Sequence, residues 1–195
     1  MLMRYFIALL FIFFFVSPAR AIESDATDSD NDGLTDALEL AFGSDSAKID
    51  SDNDGYPDGL EVQNAYSPVD PAPIKLPKKI AVDLAIQRLS YFLGHVELGS
   101  FLISSGLPKM PTPKGEFTVL AKKPLVNYGG PGYSYPNTKW NLMFKKGKGF
   151  NYYIHGAFWH NKFGKQMSHG CVNVSYANME GLYQWADKGT KIIIK

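Results

Sequence analysis

Cysteine is almost absent from this chain of 195 residues; Cys171 is the only one. That excludes an intramolecular disulfide framework. No apolar run reaches the ~20 residues that a helix needs to cross a bilayer. The longest, 5–16 (YFIALLFIFFFV), has twelve. Basic residues are nearly missing from 22–73, which hold fourteen Asp/Glu against Lys48 alone. Acid is scarce after residue 73, where seventeen Lys/Arg face five Asp/Glu. The formal net charge of +1 therefore conceals two modules of opposite sign. With 45% hydrophobic and 20% charged residues, wholesale disorder is excluded.

Arg4, the apolar run, the Ser17-Pro18 break and Ala19-Arg20-Ala21 stand in the order of a secretory signal peptide, 1–21. An uncleaved anchor is the alternative. No cysteine lies near the cleavage point, so lipid attachment has no acceptor. The chain is expected in the periplasm, cell wall or medium, with no stable membrane span after cleavage. Exported proteins pair their thiols or avoid them, so a lone Cys171 suggests a reactive residue.

In the acidic stretch, 22–63, a twelve-residue loop pattern occurs twice with a period of 22 residues. Asp28, Asp30, Asp32, Asp36 and Glu39 fall at loop positions 1, 3, 5, 9 and 12, with Gly33 at position 6 and the Leu34 carbonyl at position 7. Asp50, Asp52, Asp54, Asp58, Glu61, Gly55 and the Tyr56 carbonyl repeat the set. Hard oxygen ligands without His or Cys favour calcium over zinc. Five carboxylates in one loop repel each other, so metal binding and folding should be coupled. The rival reading is a solvated acidic linker that binds nothing. A paired EF-hand is disfavoured, because the first loop begins only seven residues after the expected cleavage point, too few for an incoming helix. A short exiting helix is expected at 35–42, with Leu38 and Phe42 on one face. Residues 28–61 resemble bacterial thrombospondin type 3 repeats, which implies structural Ca2+ and a rigid spacer or adhesion element.

Four prolines, at 68, 71, 73 and 77, mark 64–78 as a stiff, extended linker. Residues 79–195 suffice for one small domain. Strand patterns occur at 79–84, 87–93, 95–104, 116–121, 139–144, 152–155 and 190–194. A helix is expected at 176–187, where Met179, Leu182, Tyr183 and Ala186 share a face and Gly189 follows as a stop. The expected fold is mainly β, a sandwich or barrel with one or two short helices. The 124–137 segment, with Tyr128, Tyr133 and Tyr135, reads equally as a substrate lid or a plain β-connection. His95 and His160 read as surface residues.

The chemistry concentrates in Ser168-His169-Gly170-Cys171-Val172-Asn173 and in Tyr153-Ile154-His155-Gly156. A thiol is a poor nucleophile until deprotonated, and a nearby imidazole can hold a thiolate–imidazolium pair. These runs resemble the signature of the L,D-transpeptidases of the YkuD type. Residues 80–89, with Ser104-Ser105-Gly106, Thr112-Pro113 and Gly115-Glu116-Phe117, resemble the rest of that domain. The resemblance implies a β-rich enzyme acting on peptidoglycan stem peptides, with Cys171 as nucleophile and His155 as base. It implies that the Gly156 carbonyl orients His155. Ser168, His169, Gly170 and Asn173 would shape the pocket, with N–H groups near Gly170 and Cys171 binding an oxyanion. Asn173 stands where many members carry Arg. No acidic cluster lies near Cys171, so the chemistry should need no metal. No nucleic-acid motif accompanies the basic half, and a monomer is expected. Hydrolysis of the thioester, giving a carboxypeptidase or amidase, is the second reading. A non-catalytic, calcium-dependent surface-binding protein is the third.

Overall fold

The computed structural model describes residues 27–130 and 132–195. The expected signal peptide lies outside the described residues.

Each acidic loop leads into a short helix, α1 (Asp36–Phe42) and α2 (Asp58–Gln63). Thr35 caps α1 through its hydroxyl, and Gly43, at φ 89°, ends it in the left-handed conformation that glycine tolerates best. The two loops have one shape. Asn31 and Asn53 share φ 62°, and Gly33 and Gly55 lie at 97° and 99°. The repeats touch where the Gly59 N–H donates to Asp32 Oδ2 at 2.7 Å. A Cβ on Gly59 would stand 2.6 Å from the Asp32 carbonyl oxygen, so the contact requires glycine.

The remainder is a two-sheet sandwich. In β1 (Lys78–Asp83), Ile80 and Val82 are fully buried and their neighbours are not, the alternation of a strand with one face on a core. β2 (Arg88–Leu93) and β3 (Val96–Leu102) pair antiparallel in sequence. β9 (Lys191–Ile194) inserts between β1 and β4 (Gly115–Thr118), giving the order β3-β2-β1-β9-β4. The second sheet runs β5 (Ala121–Gly130), β6 (Tyr133–Lys146), β7 (Asn151–Ala157), β8 (Val172–Ser175). The helix α3 (Tyr176–Trp185), capped by Ser175, adds Met179 and Leu182, and Ala186 just past its end, to a core holding Ile80, Leu142, Ile154, Val174 and Ile192.

Three expectations change. The strand expected at 116–121 serves both sheets: it leaves β4 at Thr118, and β5 begins at Ala121. The 124–137 segment is mostly strand and not loop, forming the paired ends of β5 and β6, and its Tyr128, Tyr133 and Tyr135 line the cavity described below. Its prolines and glycines mask the strands, and β5 is an edge, where proline is tolerated. The linker is not extended. The Leu76 N–H donates to the Ala65 carbonyl at 2.7 Å, so the chain folds back on itself.

Apolar contact explains that fold-back. Leu34, Phe42, Val62 and Ala65 form one buried cluster with Leu93 and Val96 of the β2–β3 hairpin, against which Leu38, Leu76 and Leu98 also pack. Charge patterning separates the two modules in sequence, whereas burial of these side chains joins them in space.

Candidate active site and calcium loops

β7 and β8 run parallel with His155 opposite Asn173. This register sets Cys171, just before β8, and His155 on the wall of one cavity of about 500 Å³. Tyr128, Tyr133, Trp159, Ser168 and His169 line it too. His155 is buried, and its Nδ1 lies 2.8 Å from the Gly156 carbonyl oxygen. A carbonyl only accepts, so Nδ1 carries the proton and Nε2 is left as the basic nitrogen. Glycine is needed at 156, because a Cβ there would meet the Tyr176 ring at 2.5 Å.

The reactive loop is built by hydrogen bonds. Ser168 Oγ donates to the Cys171 carbonyl and accepts from the Gly170 N–H at 3.1 Å. The Gly170 amide is thereby engaged, which weakens its expected place in an oxyanion site. Thr112 Oγ1 adds a 3.4 Å bond to the same carbonyl. The Ser105 carbonyl accepts from Met167 and Ser168, and buried Gln87 grips the Ser105 N–H at 2.8 Å. Ser168→Ala would strand buried groups, a loss worth about 1–3 kcal/mol. Chemical denaturation should register that drop, with Ser168→Thr recovering most of it.

Burial governs the electrostatics. It pushes His155 down to about 4 and Cys171 up to about 11. Both shifts favour the neutral thiol and imidazole over the thiolate–imidazolium pair. Alkylation of Cys171 by iodoacetamide should therefore climb through pH 9–11. A plateau already reached at pH 6 would contradict this.

His169 is exposed and stacks on Tyr133 at 4.4 Å. His95 is exposed, as expected. His160 is not a plain surface residue, since its Nε2 lies 3.1 Å from Asn173 Nδ2. Tyr128, named in the sequence only within the 124–137 segment, and Asn141, not singled out there, adjoin His155. The Tyr128 ring stacks on His155 at 4.4 Å and 24°, and its hydroxyl donates to Asn141 Oδ1 at 2.8 Å. Neither residue belongs to a recognisable motif.

In the acidic module, Asp28, Asp30 and Asp32 converge, as do Asp50, Asp52 and Asp54. Backbone N–H groups take one oxygen each of Asp28, Asp30 and Asp52. The second oxygen of each is buried without a hydrogen-bond partner. Glu39 is fully buried with both oxygens unpartnered, and Glu61 has one such oxygen. Buried carboxylates without donors fit a hard divalent cation, which the Leu34 and Tyr56 carbonyls could also ligate. Asp36 and Asp58, the expected ligands at loop position 9, are held by hydrogen bonds within the loop. Each turns both oxygens to the serine at loop position 2, Ser29 or Ser51, and closes the loop.

A mainly-β sandwich with a thiol and a buried imidazole on one cavity defines a class of candidate acyl-transfer domains. The chain belongs to the L,D-transpeptidase catalytic-domain family, which residues 77–194 match. Residues 28–48 and 50–64 match the bacterial thrombospondin type 3 repeat. YkuD of Bacillus subtilis is 28% identical over 132 residues, covering 68% of this chain and 74% of its own. A solved L,D-transpeptidase from Mycobacterium smegmatis is 28% identical with a TM-score of 0.57, over 62% of this chain and 59% of that one. The catalytic domain of the Enterococcus faecium L,D-transpeptidase is 27% identical with a TM-score of 0.53, over 60% of this chain and 96% of that domain. This chain thus spans about three fifths of the Mycobacterium smegmatis structure it matches. Among the described residues, no helix is long and apolar enough to cross a membrane.

Proposed function

We propose that this chain is an exported L,D-transpeptidase that cross-links peptidoglycan stem peptides through a Cys171 thioester. The observation that carries the reading is the shared cavity of Cys171 and His155, with Nδ1 tied to Gly156. His155 Nε2 takes the thiol proton as sulfur attacks the carbonyl between the third residue's L-centre and the terminal D-amino acid. The amide C–N bond breaks, and the proton passes to the departing amine. A side-chain amine of a second stem peptide then attacks the thioester, releasing the thiol and leaving a new amide. Because burial favours the neutral pair, the proton moves during attack, as in general-base catalysis. Ser168, Gly170 and Thr112 hold the loop that presents the thiol, while Asn173 and His169 border the acyl donor.

The acidic module holds two calcium ions, ligated from residues 28–39 and 50–61, and braces the β2–β3 hairpin through the shared apolar cluster. The ions take no part in the chemistry. The cationic catalytic half suits polyanionic cell-wall material.

Incubation with a carbapenem, followed by peptide mass spectrometry, tests the thiol's role. One adduct, on Cys171, is expected. Acylation elsewhere, or none, overturns the mechanism.

A further inference from the structure

We infer that Tyr128 is a positioning residue that holds the His155 imidazole in its working orientation, anchored in turn by Asn141. The inference rests on His155 as the base. A histidine ring turns about a broad sp³–sp² torsion, so one in-plane bond leaves it free to tilt. The Nδ1 bond to Gly156 is that one constraint. Tyr128, stacked at 4.4 Å and 24°, blocks the out-of-plane swing.

The phenol needs its own anchor because β5 is an edge strand. Asn141 supplies it. This residue is fully buried and lies opposite His155 in the β6–β7 ladder. Its NH2 donates to the Lys123 and Thr138 carbonyls at 3.1 and 2.9 Å. Both N–H bonds are spent, so Oδ1 is fixed as an acceptor and the Tyr128 hydroxyl must donate. A register shift between Val126 and Tyr128 re-aims the strand at this point, and Asn127 Oδ1 secures it by accepting from the Asn137 N–H at 2.7 Å. Three neighbouring strands thus converge on one imidazole.

The ring's titratable surroundings are Tyr128 from β5, Tyr153 on its own strand, His160 after β7 and Cys171 before β8. Removing Tyr128 admits water. Burial is the main cause of the low His155 pKa, so the pKa should rise and the acid limb of activity should move to higher pH.

Saturation kinetics of imipenem acylation across pH, on the full chain with calcium, test this. Tyr128→Leu should lower kinact by roughly 10–100-fold, since small misplacements of reacting groups cost up to about 10²-fold. KI should stay within about two-fold and the acid limb should shift upward. Tyr128→Phe, which keeps the ring and loses the anchor, should lose a smaller part of kinact; it carries the test if the leucine variant does not fold. A loss confined to KI would make Tyr128 a ligand contact and overturn the inference, as would an unchanged kinact. A His155→Ala protein that acylates normally removes the base reading and this inference with it. An inactive His155→Ala protein beside an unaffected Tyr128→Leu protein removes the inference alone.

Discussion

Cys171→Ala is expected to abolish acylation by a carbapenem and conversion of tetrapeptide substrate, with a melting temperature close to that of the parent. No other thiol exists in the chain to take over the attack. On the proposed mechanism His155→Ala keeps the nucleophile and loses the base, so its rate should fall by about 10²–10⁴-fold. Because the low His155 pKa comes from burial, the parent's base is neutral above pH ~4, and the acid limb of its rate profile lies near that value. Intact-mass time courses on the three proteins read both effects. Wild-type conversion by Cys171→Ala would end the thioester account.

Removing calcium gives the second large effect. Extracellular loops of this kind bind with dissociation constants of about 10⁻⁴–10⁻³ M. At 100-fold excess over such a constant, each ion stabilises the folded state by about 2.7 kcal/mol. For a chain of this size, each kcal/mol moves the melting temperature by about 2–4 °C. Two ions in one cooperative unit should therefore raise it by roughly 10–20 °C. The shared cluster of Leu34, Phe42, Val62, Leu93 and Val96 predicts a single transition for the whole chain. Two transitions, only one of them calcium-sensitive, would mean that the module unfolds by itself.

Acidity adds a signed check. Burial raises Glu39 and Glu61 to about 7. In chelator, the folded state then binds protons more tightly than the unfolded one, so stability rises as pH falls from about 7 toward 4.5. With calcium present the trend weakens or reverses, because protons compete for the same oxygens.

The sandwich was largely legible because its strands obey simple alternation: Ile80 with Val82, and Ile192 with Ile194, announce their inner face. The helix α3 was legible from Met179 and Leu182. The hairpin of β5 and β6 was not. Pro124, Gly129, Gly130 and Pro136 signal turns, and only pairing along β6 overrides them. Docking of the calcium module was equally hidden, since Leu38 and Phe42 show that a helix face is apolar without showing what covers it.

At the site, His155 and Cys171 stood out through their motifs, whose partners lie nearby in sequence. Tyr128, Asn141 and His160 make contacts 13 to 27 residues away in sequence, and a lone residue carries no pattern for such a contact. The downward shift of His155 and the upward shift of Cys171 were also invisible, because they depend on burial, which sequence spacing does not encode.

The reaction itself is tested most directly by product analysis. The full chain, with calcium, is mixed with purified tetrapeptide muropeptides and the products are resolved by mass spectrometry. The account predicts dimers joined through the third residue's L-centre, each formed with release of one terminal D-amino acid. Tripeptide alone, with no dimer at any acceptor concentration, would show that water takes the acyl group and would contradict the assignment as a transpeptidase.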